Sequence, residues 1–315
     1  MGARWAHSRS MPMPETATAA PPALAAALGE IQQDIDRAFD GLLPVPDDPR
    51  ARLVEAMRYA AIGGGKRLRP LLLVTVAQMF GADRESAILA GCAIESIHIY
   101  SLVHDDLPCM DDDATRHGKP TAHIAFDEAS AVLAGDALLA LAFEILTMPE
   151  VTSDPFVQAE LVSILARASG VSGMAGGQMM DIAASEAIFD VHAITRLQQL
   201  KTGALLGASV EMGAALAKLP AEGRGPLVNY ARDIGLAFQI ADDLLDAEGD
   251  EALAGKALRK DDGQGKQTFL TLMGADGARA QADALADQAI AHLAQYGEEA
   301  NLLRDLARYI VERDR

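Results

Sequence analysis

From residue 23 onward, apolar side chains recur every three or four positions along most of the chain, the spacing that lines one face of an α-helix. Residues 23–39 read as an amphipathic helix, ended by the PVPDDP turn at 44–49. Residues 50–62 form a second, closed by Gly63, Gly64 and Gly65. Two strongly apolar helices follow at 71–80 and 86–103, then a long one at 124–146. The glycine-rich GVSGMAGGQ (170–178) interrupts the next helix, and further helices are expected at 194–217 and 227–246. A polar loop at 248–267 precedes two C-terminal helices. No repeat of 20–50 residues and no low-complexity linker divides this pattern. The expectation is one all-α domain over 23–315, a helical bundle around a central cleft, with residues 1–22 as a disordered tail or a start placed too early.

Composition agrees with helix: half the residues are apolar, only 4% are aromatic, and Ala and Leu abound. The net charge of −18 argues against nucleic acid or an anionic membrane surface as a partner. Cys92 and Cys109 have neither a disulfide framework nor metal-ligand spacing, which suits a reducing cytoplasm. No uninterrupted apolar run of about eighteen residues occurs, so no membrane span is expected.

Against this apolar background, the polar clusters stand out. Asp105, Asp106, Asp111, Asp112 and Asp113 fall within nine residues, straight after an apolar helix. So many acids beside a core need cations or solvent to offset their repulsion, so the stretch is either a solvated loop or a divalent-metal site. Asp105 and Asp111 would point about 240° apart on an ideal helix, but Pro108 removes a backbone hydrogen bond and lets the chain turn Asp111 back. His98, Ser101 and Asp105 recur at i, i+3, i+7 and share a face. A second cluster, Asp242, Asp243 and Asp246, ends the helix GLAFQIA, with Asp242 and Asp246 one turn apart. Oxygen-only donors suit Mg²⁺. In KRLRP, Lys66, Arg67 and Arg69 crowd a helix start, where cations are unfavourable unless an anion is present. Two carboxylate groups plus separate cations (Lys66, Arg69, Arg116, Lys201, Lys266) meet the needs of a magnesium diphosphate site. GQGKQT is not a P-loop, since residue 260 is Lys and residue 267 is Gln.

In order, GGGKRLRP (63–70), DDLPCMD (105–111) followed by Arg116, GGQ (176–178), KTGAL (201–205), FQIADDLLD (238–246) and GK-x-T (265–268) resemble the trans-isoprenyl diphosphate synthases. The resemblance runs from about residue 23 to the C-terminus. It implies an all-helical homodimer with two aspartate-rich helices facing one cleft. Asp105 and Asp111 would hold two Mg²⁺ and Asp242 a third, with Asp106 and Asp246 supporting and Mn²⁺ as an alternative ion. Arg116, Lys201 and Lys266, with Gln239 nearby, would bind an allylic diphosphate. Lys66, Arg69 and His98 would bind isopentenyl diphosphate. The implied reaction is head-to-tail condensation of the two, with released pyrophosphate taking the proton.

The chain departs from the family pattern twice. His117 replaces the second of two arginines after the first motif, and Gln267 replaces a common Ser. Tyr100, five residues before Asp105, is where family members with an aromatic side chain stop at C15. Farnesyl diphosphate is therefore the expected product and geranylgeranyl diphosphate the alternative, with Ser101 beside Tyr100 on the helix. A terpene cyclase would not need GGGKRLRP, and a non-catalytic modulatory subunit should have lost one aspartate motif.

Overall fold

The structure is a computed structural model that describes residues 20–184, 189–248 and 268–312, the side chains of Asp246 and Glu248 excepted. It is almost wholly helical: α1 (Pro22–Leu42), α2 (Ala51–Ala61), α3 (Leu68–Met79), α4 (Arg84–Asp105), the four-residue α5 (Ala122–Ala125), α6 (Glu128–Leu146), α7 (Pro155–Ser169), α8 (Met174–Ala184), α9 (Val191–Gln198), α10 (Ala204–Leu216), α11 (Gly225–Glu248), α12 (Phe269–His292) and α13 (Asn301–Glu312). The loop 248–267 expected from the sequence, with Lys266 and Gln267, lies almost entirely outside the described residues, as do most of the expected N-terminal tail and the side chain of Asp246.

Helix α4 is the hub, packed against α3, α6, α1 and α10, while α11 packs on α12, α10 and α13. Asp83 starts α4 by accepting the Ser86 N–H at 2.9 Å, a side-chain cap on an otherwise unpaired helix donor. Ala87, Ile94 and Ile97 then bury completely or nearly so. Close glycine contacts tighten the bundle. On α10, a Cβ at Gly213 would lie 2.5 Å from the Leu73 carbonyl oxygen of α3, so only glycine allows those backbones to approach. Two helices, α4 and α6, are long and apolar enough to cross a membrane by length and composition. In the bundle α4 serves instead as the central core helix.

The structure corrects several boundaries. The single helix expected at 124–146 is two, because Asp127 adopts an extended backbone and caps α6 through the Ser130 N–H at 2.7 Å, held by Arg52 at 2.5 Å. The break expected across 170–178 is confined to 170–173, and Gly176, Gly177 and Gln178 lie inside α8. The helix expected at 194–217 carries a π-helical turn, Gln199–Gly203, between α9 and α10, a widening often found at functional sites. The acidic stretch is followed by a two-stranded antiparallel hairpin, β1 (Thr115–Arg116) and β2 (Lys119–Pro120). Its turn residues His117 and Gly118 both have positive φ, as a type I′ turn requires.

Arg67 is the largest departure. Among the cations of KRLRP, it is the buried one. It sits left-handed (φ 51°) at the start of α3 with its side chain 2% exposed. Its guanidinium donates to Glu95 on α4 at 3.0 Å, to Asp36 on α1 at 2.8 Å, and to the Ala61 carbonyl. Removing one partner of such a buried pair strands the other charge, at about 3–5 kcal/mol. Arg67→Ala should therefore lower the unfolding free energy in urea titration by about that amount, with Arg67→Ala/Glu95→Gln recovering part of it.

Candidate active site

The acidic stretch forms the mouth of a cleft at the C-terminal end of α4. Asp105 is its last residue. After Pro108, which cannot donate, the chain folds back: the Asp111 N–H donates to the Asp105 carbonyl at 2.8 Å and the Asp112 N–H to Leu107 at 3.2 Å. Asp111 thus returns over the helix end, as the Pro108 break predicts. Burial pushes the Asp105 carboxyl up to about 6, opposed by Lys201 and reinforced by Asp111. Its neighbour turns the other way. Asp106, 3% exposed, accepts the Arg116 Nε–H at 2.8 and 3.0 Å, and Arg116 Nη2 lies 2.6 Å away. Asp113 lies 3.5 Å from the same guanidinium. Asp112 is exposed.

The second cluster divides in the same way. On α11, Asp243 is 7% exposed and accepts the Phe269 N–H at 3.1 Å, anchoring the first turn of α12. Asp242 is only partly buried, and its charge favours the cationic form of Arg69. One turn earlier Gln239 accepts the Thr202 hydroxyl at 2.9 Å, which ties α11 to the π turn carrying Lys201.

Lys201 donates to Asp181 of α8 at 2.8 Å. Its placement rests on a glycine: a Cβ at Gly177 would lie 2.2 Å from the Lys201 backbone nitrogen. The GGQ and KTG motifs are therefore two sides of one helix contact. Arg69, His98, Asp105 and Lys201 form the polar edge of a cavity of about 320 Å³. Tyr100, Met110, Met174, Met179 and Ile182 form its apolar wall, and Ser101 and Gln178 line it too. The shared face expected for His98, Ser101 and Asp105 is present. Ser101 spends its hydroxyl on the His98 carbonyl at 2.8 Å. The Tyr100 ring meets His104 edge-on, and His104 reaches the Val132 carbonyl of α6 at 3.0 Å.

A smaller cavity, about 70 Å³, lies on the other side of α4 between Gly64, Gly65, Arg116, His117 and Lys119, with His98 lining both. Burial, then Arg69 and other cations, hold the His98 imidazole well below its usual range. His117 is lowered too, by burial first and then by Arg116, Arg67, Lys119 and Lys66. Lys66 is exposed. Sequence reasoning missed Asp181, Thr202 and the α8 methionines. Asp181 and Met179 follow GGQ within one turn, and that spacing was the available signal.

No three His, Cys, Asp or Glu side chains converge on one point among the described residues. The carboxylates come as Asp105 with Asp111, and Asp242 apart. That donor set fits Mg²⁺, which takes one or two carboxylates and completes its shell with water and phosphate.

The chain belongs to the polyprenyl synthetase family, whose model matches residues 50–306. It is 42% identical over 302 residues to the farnesyl diphosphate synthase of Escherichia coli (strain K12), covering 94% of this chain and 99% of that one. A crystal structure of an FPP/GFPP synthase from Zymomonas mobilis superposes with a TM-score of 0.85 at 58% identity, over 92% of this chain and 99% of that one. The geranyltransferase of Helicobacter pylori, complexed with magnesium and isoprenyl diphosphate, gives 0.80 at 28% identity, over 93% and 98%.

The Gly177 contact makes a testable demand. Gly177→Ala must push α8 away from Lys201, so it should lower the melting temperature, with overpacking costing about 1–3 kcal/mol. It should also reduce turnover more than the stability loss explains, measured by comparing activity well below the new melting point.

Proposed function

We propose that this chain is a Mg²⁺-dependent prenyltransferase that condenses isopentenyl diphosphate head-to-tail with dimethylallyl and geranyl diphosphates, making farnesyl diphosphate. The observation that carries the reading is Asp105 beside Asp111 and Lys201 at the mouth of a cavity whose wall is Tyr100 and methionine. That joins a diphosphate-binding rim to a prenyl-sized apolar hold.

Asp105, Asp111 and Asp242, with Asp106 and Asp246 supporting, would hold Mg²⁺, which when bound would supply positive charge for the departing pyrophosphate. Lys201 and Lys266, with Gln239 nearby, orient the allylic diphosphate and stabilise the negative charge that grows as its C–O bond breaks, while Arg116 backs the acidic rim through Asp106 and Asp113. Lys66, Arg69, His98 and His117 hold isopentenyl diphosphate so that its alkene attacks the allylic carbon. The pyrophosphate just released takes the proton, in keeping with the neutral state favoured for His98. The apolar wall excludes water from the allylic cation. A homodimer belongs to this reading, supported by the exposed Val132 (41%) and Leu133 (54%) on α6. A cytoplasmic setting belongs to it as well.

A second reading, a longer product such as geranylgeranyl diphosphate, is favoured by the open wall of α8, where Met179 and Ile182 are 61% and 44% exposed. Incubation with Mg²⁺, dimethylallyl diphosphate and labelled isopentenyl diphosphate, followed by chromatography, decides between the two. The expected main product is C15, and Tyr100→Ala should shift it to longer chains. A C15 product unchanged in that variant removes Tyr100 as the stopper. Failure to consume isopentenyl diphosphate overturns the reading as a whole.

His117 gives a pH-dependent consequence. Its lowered pKa leaves it neutral at neutral pH, so it offers one hydrogen bond where an arginine would offer a charged fork. Replacing it should recover a charge-assisted bond, and His117→Arg should lower the KM for isopentenyl diphosphate by about tenfold. As pH falls through the histidine's pKa, imidazolium forms and the gap narrows. The ratio of the two KM values, measured across pH, cancels substrate protonation and reports the histidine alone. A ratio of one at every pH removes His117 from the site.

A further inference from the structure

We infer that Lys119, opposite Arg116 in the hairpin and beside the glycine run, is a binding residue for the diphosphate of isopentenyl diphosphate. The inference rests on the proposed prenyl transfer and adds a residue to its second substrate site.

Three observations place Lys119 there. In the hairpin it pairs directly with Arg116, and directly opposed residues put their side chains on the same face of the ribbon. Arg116 is committed to Asp106 and Asp113, whereas Lys119 is exposed and donates one long bond of 3.4 Å to the Gly63 carbonyl. Among the described residues it has no carboxylate partner. Gly63 has φ +76°, and a Cβ there would lie 3.5 Å from the Lys119 ammonium, which places that ammonium directly against the glycine run. Finally, Lys119 lines the same small cavity as Gly64, Gly65, His98 and His117.

The charge balance makes the cation necessary. Of the other cations near this cavity, Arg67 is buried against Glu95 and Asp36, and both histidines are biased to the neutral form. That leaves Lys66, and Arg69 from the edge of the larger cavity, for a ligand carrying about three negative charges, and anions of that density are held by several charge-assisted bonds. The Lys119 ammonium is a compact charge on a flexible four-carbon stem. It can leave one neutral carbonyl for a phosphate oxygen at little cost.

The test is a double-mutant cycle on the full-length enzyme with Lys119→Gln, Lys119→Arg and His117→Arg. Lys119→Gln should raise the KM for isopentenyl diphosphate about tenfold, equivalent to ~1.4 kcal/mol, while the KM for geranyl diphosphate moves less than about twofold. Lys119→Arg should restore it. In the His117→Arg background the cost of Lys119→Gln should shrink to below about threefold, because the arginine takes over the same anion. An unchanged KM in Lys119→Gln, an equal shift for both substrates, or the same cost in both backgrounds would overturn the inference while leaving prenyl transfer intact. A wild-type enzyme that forms no prenyl product would instead overturn the reading beneath it.

Discussion

Adjacent aspartates can be kept at the edge of an apolar bundle only if some of their charge is neutralised from behind. This constraint shapes the whole cleft. In the first cluster Asp106 is turned inward to the Arg116 guanidinium, and in the second Asp243 is turned inward to the first backbone donor of α12. Each inward carboxylate has its desolvation offset by a directed hydrogen bond. Of their neighbours, Asp105 lines the cleft and Asp242 is only partly buried. Each doubled aspartate thus contains one structural acid. The Arg116–Asp106 pair has a further effect: it fixes the hairpin against the end of α4, and so places His117 and Lys119 beside the glycine run.

Motif residues committed to other parts of the bundle set the width of the cleft. Gly177 lets α8 touch the backbone of Lys201, the π turn swings that lysine toward Asp105, and Gln239 ties α11 to the same turn through Thr202. Arg67 does the equivalent work for the glycine run, joining α1, the start of α3 and the middle of α4 through one buried guanidinium. A substitution at any of these positions acts on chemistry through geometry. Motif strings therefore mix two kinds of residue that a sequence presents as one.

Much of this was legible before the structure. The helical period located nearly every helix, since it depends only on local spacing. Pro108 forecast the return of Asp111, because a missing donor at a helix end leaves the chain few ways to continue. What was hidden depends on partners distant in the chain. Arg67 looked like its neighbours Lys66 and Arg69, and only Glu95, 28 residues on, and Asp36, 31 back, separate it from them. Asp127 sat inside an apolar period that outweighed its capping tendency, until Arg52 on another helix held it extended. The role of Asp181 likewise follows from Lys201, 20 residues on, which tertiary packing brings to it.

The placement of α4 carries the argument one step further. Tyr100, Ser101 and Asp105 face the larger cavity, Ile99 and Val103 face the smaller, and His98 and Leu102 line both. One helix is therefore the wall between a long apolar hold and a compact cationic pocket. On the proposed reading, the residues that would limit chain growth and those that would receive the second diphosphate lie on opposite sides of this one helix. Tyr100 can be altered without touching the glycine run, and His117 without touching the apolar wall. His98 is the exception, and its neutral state is what a shared wall requires. A fixed positive charge there would attract both diphosphates to the same place, whereas condensation needs them held apart with their carbon ends converging.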